Sequence, residues 1–127
     1  MVNTIIEPRT FDEDQVSEAL SAVVNENPKA TNVRNVYFNF RVDGRPCCMI
    51  GHVLARLGVT DRDVVTANCN TARIDRALKR LRITIPPRSL VMLRAAQYES
   101  DWNKRAWYFA AARGRLAALG QDQDVTE

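Results

Sequence analysis

Long apolar runs are missing from this sequence of 127 residues. No stretch approaches the roughly 20 consecutive apolar residues that a membrane helix needs. The acidic N-terminal region also lacks the basic and apolar parts of a secretory signal peptide. We therefore expect no membrane association and predict a cytoplasmic location.

Cysteine and histidine are scarce, with three Cys and one His in the whole chain. An odd number of cysteines argues against a disulfide framework and fits a reducing compartment. Cys48 and His52 are spaced to share one helix face, and Cys69 could lie near them. However, structural zinc usually takes four ligands in C-x-x-C or H-x-x-x-H pairs, and neither spacing occurs here. We predict that these residues, with Cys47, are free packing residues and that the protein holds no metal or cofactor.

Two further chemical signatures are absent. Cys48 and His52 could be a nucleophile and its base, but the sequence indicates no orienting acid and no oxyanion hole for them. Gly44, Gly51 and Gly58 are spaced by seven, yet they fall in a turn, a helix interior and a helix end, so they do not form a phosphate loop. We predict that the protein is not an enzyme.

The composition is that of an ordinary folded protein, with 46% hydrophobic and 26% charged residues. A chain of this length can bury a core without disulfides or metal, so we predict a single domain over residues 1–127.

The clearest design lies between residues 36 and 59. Apolar and polar residues alternate over 36–40, which predicts a strand with one buried face. Asp43-Gly44 supplies a tight turn, and Pro46 suits the first turn of a helix. That helix is expected over 47–57, with Gly58 as its left-handed C-terminal cap. Its apolar stripe comprises Ile50, Val53, Leu54 and Leu57.

This stretch carries a resemblance to a protein family. The sequence DGRPCCMIGHVLARLGV resembles the pattern D-G-x-P-[SC]-C-[IL]-[VI]-G-x-V-L-x-x-L-G-V of small proteins encoded by actinobacteria and their bacteriophages, and Met49 is its one departure. A weaker match, AAQYESDWNKRAWYFA, is similar to that family's A-A-Q-x-x-Q-D-x-G-x-x-W-x-x-A, with Ser100 and Asn103 replacing Gln and Gly and with Trp107 and Ala110 one position late. The resemblance implies a phage or prophage origin and a bacterial cytoplasm, and no mechanism.

The first helix is expected over 11–25. Thr10 and Glu13 fit a capping box, in which each side chain satisfies a backbone N–H group of the first turn. Asn27-Pro28 ends the helix. The predicted inward stripe is Val16, Ala19, Leu20, Val23 and Val24.

Two helices are expected after Gly58. Thr60 is the predicted N-cap of a short helix over 61–67, with Val64 and Val65 inward. Asn68-Cys-Asn70 breaks it. A basic amphipathic helix should follow over 71–81, with Ile74, Ala77, Leu78 and Leu81 on its apolar side.

Two more helices complete the prediction, over about 87–99, started by Pro86-Pro87, and over 104–119. Leu90, Val91, Leu93 and Ala96 are the apolar residues of the former. Between the two, Asn103 is expected in the left-handed conformation and Trp102 should line the bend. Trp107, Ala110, Ala111 and Leu116 should pack inward. Gly120 is the predicted end signal, and 121–127 a frayed acidic tail.

The predicted strand needs a partner, because a single strand is not stable alone. Thr4–Ile6 and Leu81–Ile85 are the candidates. The fold class we predict is a helix-rich α+β domain with about five to six helices and a small two- or three-stranded sheet.

The charge distribution is the one feature that points to a function. The net charge is +3, but acids dominate the first thirty residues and cations surround the single acid Asp75 between residues 73 and 94. The candidate binding residues are Arg73, Arg76, Lys79, Arg80 and Arg82. They could contact a host or phage protein, pair with the acidic first helix of the same or another copy in a homodimer, or remain a solvated face.

Nucleic acid is the alternative partner. A short helix, a turn, a basic helix over 71–82 and a strand outline a winged helix-turn-helix, whose arginines could neutralise phosphates. Our leading prediction is an accessory protein of phage or prophage type that binds a host or phage protein. The alternative is a small DNA- or RNA-binding regulator.

Overall fold

The structure, a computed structural model, describes residues 6–31, 41–42, 45–46, 48–70, 72–103 and 105–123. These ranges hold six helices and two pairs of short strands, so the fold is helix-rich α+β, as the sequence predicts. The helices are α1 (Glu13–Glu26), α2 (Met49–Arg56), α3 (Asp61–Ala67), α4 (Ile74–Arg80), α5 (Pro87–Asp101) and α6 (Trp107–Gln123). The strands are β1 (Arg9–Thr10), β2 (Arg41–Val42), β3 (Arg45–Pro46) and β4 (Ile83–Thr84).

Helix α1 starts two residues later than predicted. Its N-cap is Asp12, whose carboxylate accepts from the Gln15 N–H at 2.7 Å, while Gln15 Oε1 accepts from the Asp12 N–H at 2.8 Å. The capping box of Thr10 and Glu13 is therefore wrong, because Thr10 belongs to β1 and a closer carboxylate caps the helix. The predicted inward stripe is buried at Val16, Ala19, Leu20 and Val23 and partly buried at Val24.

Helix α2 is shorter than predicted at its start. Cys48 is the N-cap, with its Sγ accepting from the Gly51 N–H at 3.2 Å. Pro46 does not lie in the first turn of this helix, because it pairs with Arg41 in β3. Val53 and Leu54 are buried, as the apolar stripe predicts.

The end of α2 follows the prediction. Gly58 has a φ of +97°, a backbone conformation that favours glycine. Its N–H donates to Ala55 O at 3.0 Å, and the Val59 N–H donates to Leu54 O at 2.9 Å. These two bonds satisfy carbonyls that a helix end leaves without partners.

The predicted strand over 36–40, the Asp43-Gly44 turn and Cys47 lie outside the described residues. The segments on either side of Asp43-Gly44 pair in antiparallel fashion as β2 and β3, with Val42 opposite Arg45.

Strand β4 confirms the centre of the predicted strand over 81–85, which was one candidate partner for the strand over 36–40. It pairs in parallel with β1, where Arg9 lies opposite Ile83. Of the other candidate partner, Thr4–Ile6, Thr4 and Ile5 lie outside the described residues and Ile6 is not in a strand. Within the described chain β1–β4 and β2–β3 are separate pairs.

Helix α3 has the predicted bounds. The Asp63 N–H donates to Thr60 Oγ1 at 3.1 Å, and the Thr60 N–H donates to Asp63 Oδ2 at 3.0 Å. Asn68 ends the helix in the left-handed conformation, with φ 52°. Val64 is buried, but the expectation for Val65 was wrong, because a helix this short presents one inward position at this turn and Val65 faces solvent.

Helix α4 begins later than predicted. Arg73 is its N-cap, and Thr71 lies outside the described residues. The predicted apolar side is confirmed, since Ile74, Ala77, Leu78 and Leu81 are all buried.

Arg9 joins β1 to the junction of α2 and α3. Its guanidinium donates to Gly58 O at 3.2 Å and to Asp63 Oδ2 at 3.4 Å. Burial acts to raise the pKa of Asp63, but hydrogen bonds from Thr60 and the charge of Arg9 outweigh it and hold that pKa below its usual 3.8.

Helices α5 and α6 pack along each other. Pro87 occupies the first turn of α5, as predicted, and Leu93 and Ala96 are buried, whereas Leu90 and Val91 are partly exposed. Asn103 is not left-handed: in the described chain the non-glycine residues with positive φ are Asn68 and Arg82.

Helix α6 departs most from the prediction. It starts at Trp107 and continues past Gly120 to Gln123, so Gly120 is not its end, and residues 124–127 of the predicted tail lie outside the described residues. Trp107, Ala110 and Ala111 are buried as expected. Leu116 is exposed instead, and the inward positions of the later turns belong to Gly114 and Ala118.

The acidic helix α1 is tied to other helices of the same chain. Glu13 pairs with Arg88 of α5 at 3.3 Å, and Glu26 pairs with Arg56 of α2 at 2.7 Å. Arg115 of α6 donates to Ser17 Oγ at 2.6 Å. Of the cations between residues 73 and 94, Arg88 thus pairs with the acidic helix, whereas none of the five candidate binding residues pairs with it in the described chain.

Candidate binding groove

The five predicted binding residues lie on α4 and in the turn that follows it, and all five are exposed: Arg73, Arg76, Lys79, Arg80 and Arg82. They do not share one role. Arg80 Nη1 donates to Asn68 O at 2.6 Å, and Arg82 Nη1 donates to Ile6 O at 3.3 Å. These two side chains hold neighbouring backbone of their own chain in place.

The other three remain available to a partner. Arg73, Arg76 and Lys79 form neither an ion pair nor a hydrogen bond with any residue that the structure describes. Arg94 of α5 likewise forms no ion pair or hydrogen bond with a described residue, and it is also exposed. The candidate set did not include Arg94, which becomes a site residue because α5 packs against α4.

An open groove of about 540 Å³ runs between the start of α4 and the outer face of α5, and we call it the docking groove. Arg73 and Arg94 contribute its cations, and Tyr98 and Trp102 contribute aromatic rings. Its remaining lining residues are Ile74, Asp75, Val91, Ala95 and Gln97. The groove thus joins positive charge, aromatic surface and an aliphatic floor.

The aromatic wall of the groove comes from one face of α5. Arg94, Tyr98 and Trp102 are spaced by four residues and therefore lie above one another along a helix. Tyr98 and Trp102 are each 56% exposed. Trp102 was expected to line the bend after α5; it is the C-cap of that helix and also lines the groove. The four-residue spacing is the sequence signal that could have revealed this face.

A buried amide completes the groove. Gln97 is only 5% exposed, it lines the groove, and its Nε2 has no hydrogen-bond partner. A buried donor without an acceptor is costly, and such groups are few in native proteins. An oxygen atom supplied by a ligand would satisfy this donor.

A single carboxylate interrupts the basic surface. Asp75 lines the docking groove and also two neighbouring depressions, one beside Arg76 and Arg80 and the other beside Lys79 and Arg82. It is exposed. The surface around α4 is therefore mixed in charge and not uniformly basic.

The predicted thiol and imidazole residues are packed within the fold. Cys48 caps α2 and is buried, and the ring of His52 lies 5.3 Å from that of Trp107. Cys69 is buried, and burial raises the pKa of its thiol to about 11. A thiol with such a pKa is a poor nucleophile near neutral pH because little thiolate is present.

Two further features are absent from the described residues. Nowhere in this part of the chain do three or more His, Cys, Asp or Glu side chains cluster as metal ligands would. None of its helices combines the length and apolar character that crossing a membrane requires.

Comparison with known proteins adds no relationship. No protein-family model matches the chain, and neither curated proteins nor solved structures gave a significant match.

Proposed function

We propose that the protein acts by binding a segment of another protein in the docking groove, without catalysing a reaction. The main evidence is that this groove brings together two cations that lack partners in the described chain, Arg73 and Arg94, and the exposed aromatic residues Tyr98 and Trp102. Arg, Tyr and Trp are the residues that most often dominate the binding energy of protein interfaces. The resemblance to actinobacterial and phage proteins makes a host or phage protein in the bacterial cytoplasm the expected partner.

The charge pattern favours a protein over duplex DNA. A nucleic-acid backbone presents phosphates at regular intervals and is best matched by an uninterrupted basic surface. Here Asp75 lies among the cations, and Arg80 and Arg82 already donate to backbone carbonyls. Protein segments carry both signs of charge and tolerate such a mixture.

The predicted winged helix-turn-helix outline is not reproduced after α4. The strand that follows, β4, pairs in parallel with β1 and leads directly into α5, whereas a wing is an antiparallel hairpin. Nucleic acid remains a second candidate for one reason: exposed aromatic rings beside arginines can stack unpaired bases.

The test compares two double variants of equal charge change. Arg73→Gln/Arg94→Gln removes the cations of the groove, and Arg62→Gln/Arg113→Gln removes two exposed cations that do not line it. Each tagged protein is used for capture from an actinobacterial lysate, with and without nuclease. We expect a partner that survives nuclease, binds the wild type and the control variant, and is lost with the groove variant.

The identified partner is then titrated against the wild type, the groove variant and the control variant, and only the groove variant should bind it more weakly. Capture that disappears with nuclease, together with single-stranded oligonucleotide binding that falls steeply with salt, would favour the second candidate. A partner that binds the groove variant as well as the wild type would refute the docking groove as the binding surface.

A further inference from the structure

We infer that the docking groove takes an extended acidic peptide segment, in which a carboxylate lies against Arg73 and Arg94, a carbonyl oxygen accepts from Gln97, and an adjacent aromatic or aliphatic side chain packs on Tyr98 and Trp102. This inference rests on the proposed function and specifies the chemistry of the partner.

The two arginines favour an acidic side chain in the ligand. Arg73 at the start of α4 and Arg94 on α5 line the same groove from two helices, and neither has a charged partner in the described chain. A guanidinium presents a planar fork of donors that matches a carboxylate, and two such forks hold the carboxylate more firmly than one. The groove is thus complementary in charge to Asp or Glu.

Gln97 favours a carbonyl oxygen in the ligand. Its amide nitrogen is buried and has no acceptor, although its side chain lines the groove. The terminal torsion of Gln is broad and roughly two-fold, so rotation of the amide group can turn this N–H towards a ligand in the groove. An extended peptide offers a main-chain carbonyl every residue, which makes it a suitable source of the missing oxygen.

The aromatic and aliphatic residues that line the groove favour an apolar side chain in the ligand. Tyr98 and Trp102 expose more than half of their surface, and Val91, Ala95 and Ile74 lie beside them in the groove. Aromatic rings give large contact area at low entropic cost when they bind a partner side chain. An aromatic or aliphatic residue next to the acid would cover this surface.

Asp75 separates a peptide from a phosphate ligand. Its carboxylate lines the groove beside Arg73 and would repel a phosphate group with two negative charges. A peptide carries one charge on each acid and has backbone N–H groups, which can donate to Asp75. The same carboxylate therefore disfavours a nucleotide and is compatible with an acidic peptide.

The experiment selects ligands from an mRNA-displayed library of random dodecapeptides on the immobilised full-length protein. We expect the selected peptides to be enriched in Asp or Glu next to Trp, Phe or Leu. Chosen peptides are then synthesised and titrated against the wild type, Arg73→Gln/Arg94→Gln, Gln97→Met and the control Arg62→Gln/Arg113→Gln. Changing peptide Asp to Asn, or losing both groove arginines, should weaken binding at least about tenfold, because removing one partner of a hydrogen-bonded charge pair leaves the other unpaired at the interface.

Gln97→Met tests the carbonyl contact separately from folding. Met has nearly the same length and no donor, so the variant should fold at least as stably as the wild type and bind the peptide more weakly. Unchanged peptide affinity in this variant would refute the role of Gln97.

The outcomes separate the inference from the proposed function. Selected peptides that are basic or wholly apolar, yet bind a further variant, Trp102→Ala, more weakly than the wild type, would overturn the acidic chemistry and leave protein docking in place. Peptides that bind all groove variants equally, or a selection that yields no specific peptide while single-stranded oligonucleotides bind, would overturn both. Self-association of the wild type that Arg73→Gln/Arg94→Gln abolishes would replace the peptide by the acidic surface of a second copy.

Discussion

The close approach of α5 and α6 at Gly114 allows a stringent test of the fold. A Cβ atom at this position would collide with the carbonyl oxygen of Met92 and would lie 3.1 Å from the Cβ of Ala96. The change Gly114→Ala therefore inserts one methyl group between two helices that pack tightly along each other. Its matched control is Gly120→Ala on the same helix, where the new Cβ meets nothing within 4 Å.

Two effects on the free energy of unfolding oppose each other at Gly114, the higher helix propensity of Ala and the overfilling of the interface. Replacing Gly by Ala within a helix stabilises it by about 1 kcal/mol. Overfilling a packed interface costs about 1 to 3 kcal/mol, and the upper part of this range, about 2 to 3 kcal/mol, applies at Gly114 because the obstacle is backbone, which cannot rotate away as a side chain can. We expect Gly114→Ala to lower the free energy of unfolding by about 1 to 2 kcal/mol. Gly120→Ala should raise it by up to about 1 kcal/mol, and less if the end of α6 frays.

Urea unfolding followed by circular dichroism measures both changes, provided that the slopes of the transitions stay equal. A loss of about 1 to 2 kcal/mol should also lower Tm by several degrees for a chain of this size. If Gly114→Ala proves as stable as Gly120→Ala, α5 and α6 do not approach as described. The orientation of α5, and with it the residues that face the docking groove, would then be wrong.

Three further predictions concern the core, a carboxylate and a thiol. Leu54→Ala should lower the free energy of unfolding by about 2 to 5 kcal/mol, because Leu54 is fully buried in α2, and unchanged urea unfolding would show that this helix is peripheral. Asp63 has a lowered pKa in the folded state, so its stabilising contribution is present above its usual 3.8 and is lost as pH falls through the lower folded value. Asp63→Asn should therefore flatten the loss of Tm as the pH is lowered from about 5 through 3.8 and below it, and an identical profile would contradict this. Cys69, with a pKa of about 11, should be alkylated by iodoacetamide at pH 8 far more slowly in the native protein than in urea, as peptide mapping by mass spectrometry can show, and equal rates would mean that the thiol is accessible.

The sequence by itself determined the elements whose limits depend on nearby residues. The Thr60 cap, the Gly58 end and the Pro87 start are all found, because each rests on hydrogen bonds or backbone preferences within a few residues. The apolar stripes of α1 and α4 were predicted for a similar reason, since helical spacing alone places them on one face. The local prediction was wrong at Thr10, where a neighbouring carboxylate and a distant strand both compete for the same residues.

Only the tertiary structure decided which side chains form the candidate site. Arg80 and Arg73 are alike in sequence, but a carbonyl at Asn68 engages the first and nothing in the described chain engages the second. Arg94 and Trp102 become site residues because α5 lies beside α4, and Gln97 becomes notable because packing buries its amide without an acceptor. The partner of a long polar side chain is set by contacts between residues far apart in the chain, and helical spacing carries no information about those contacts.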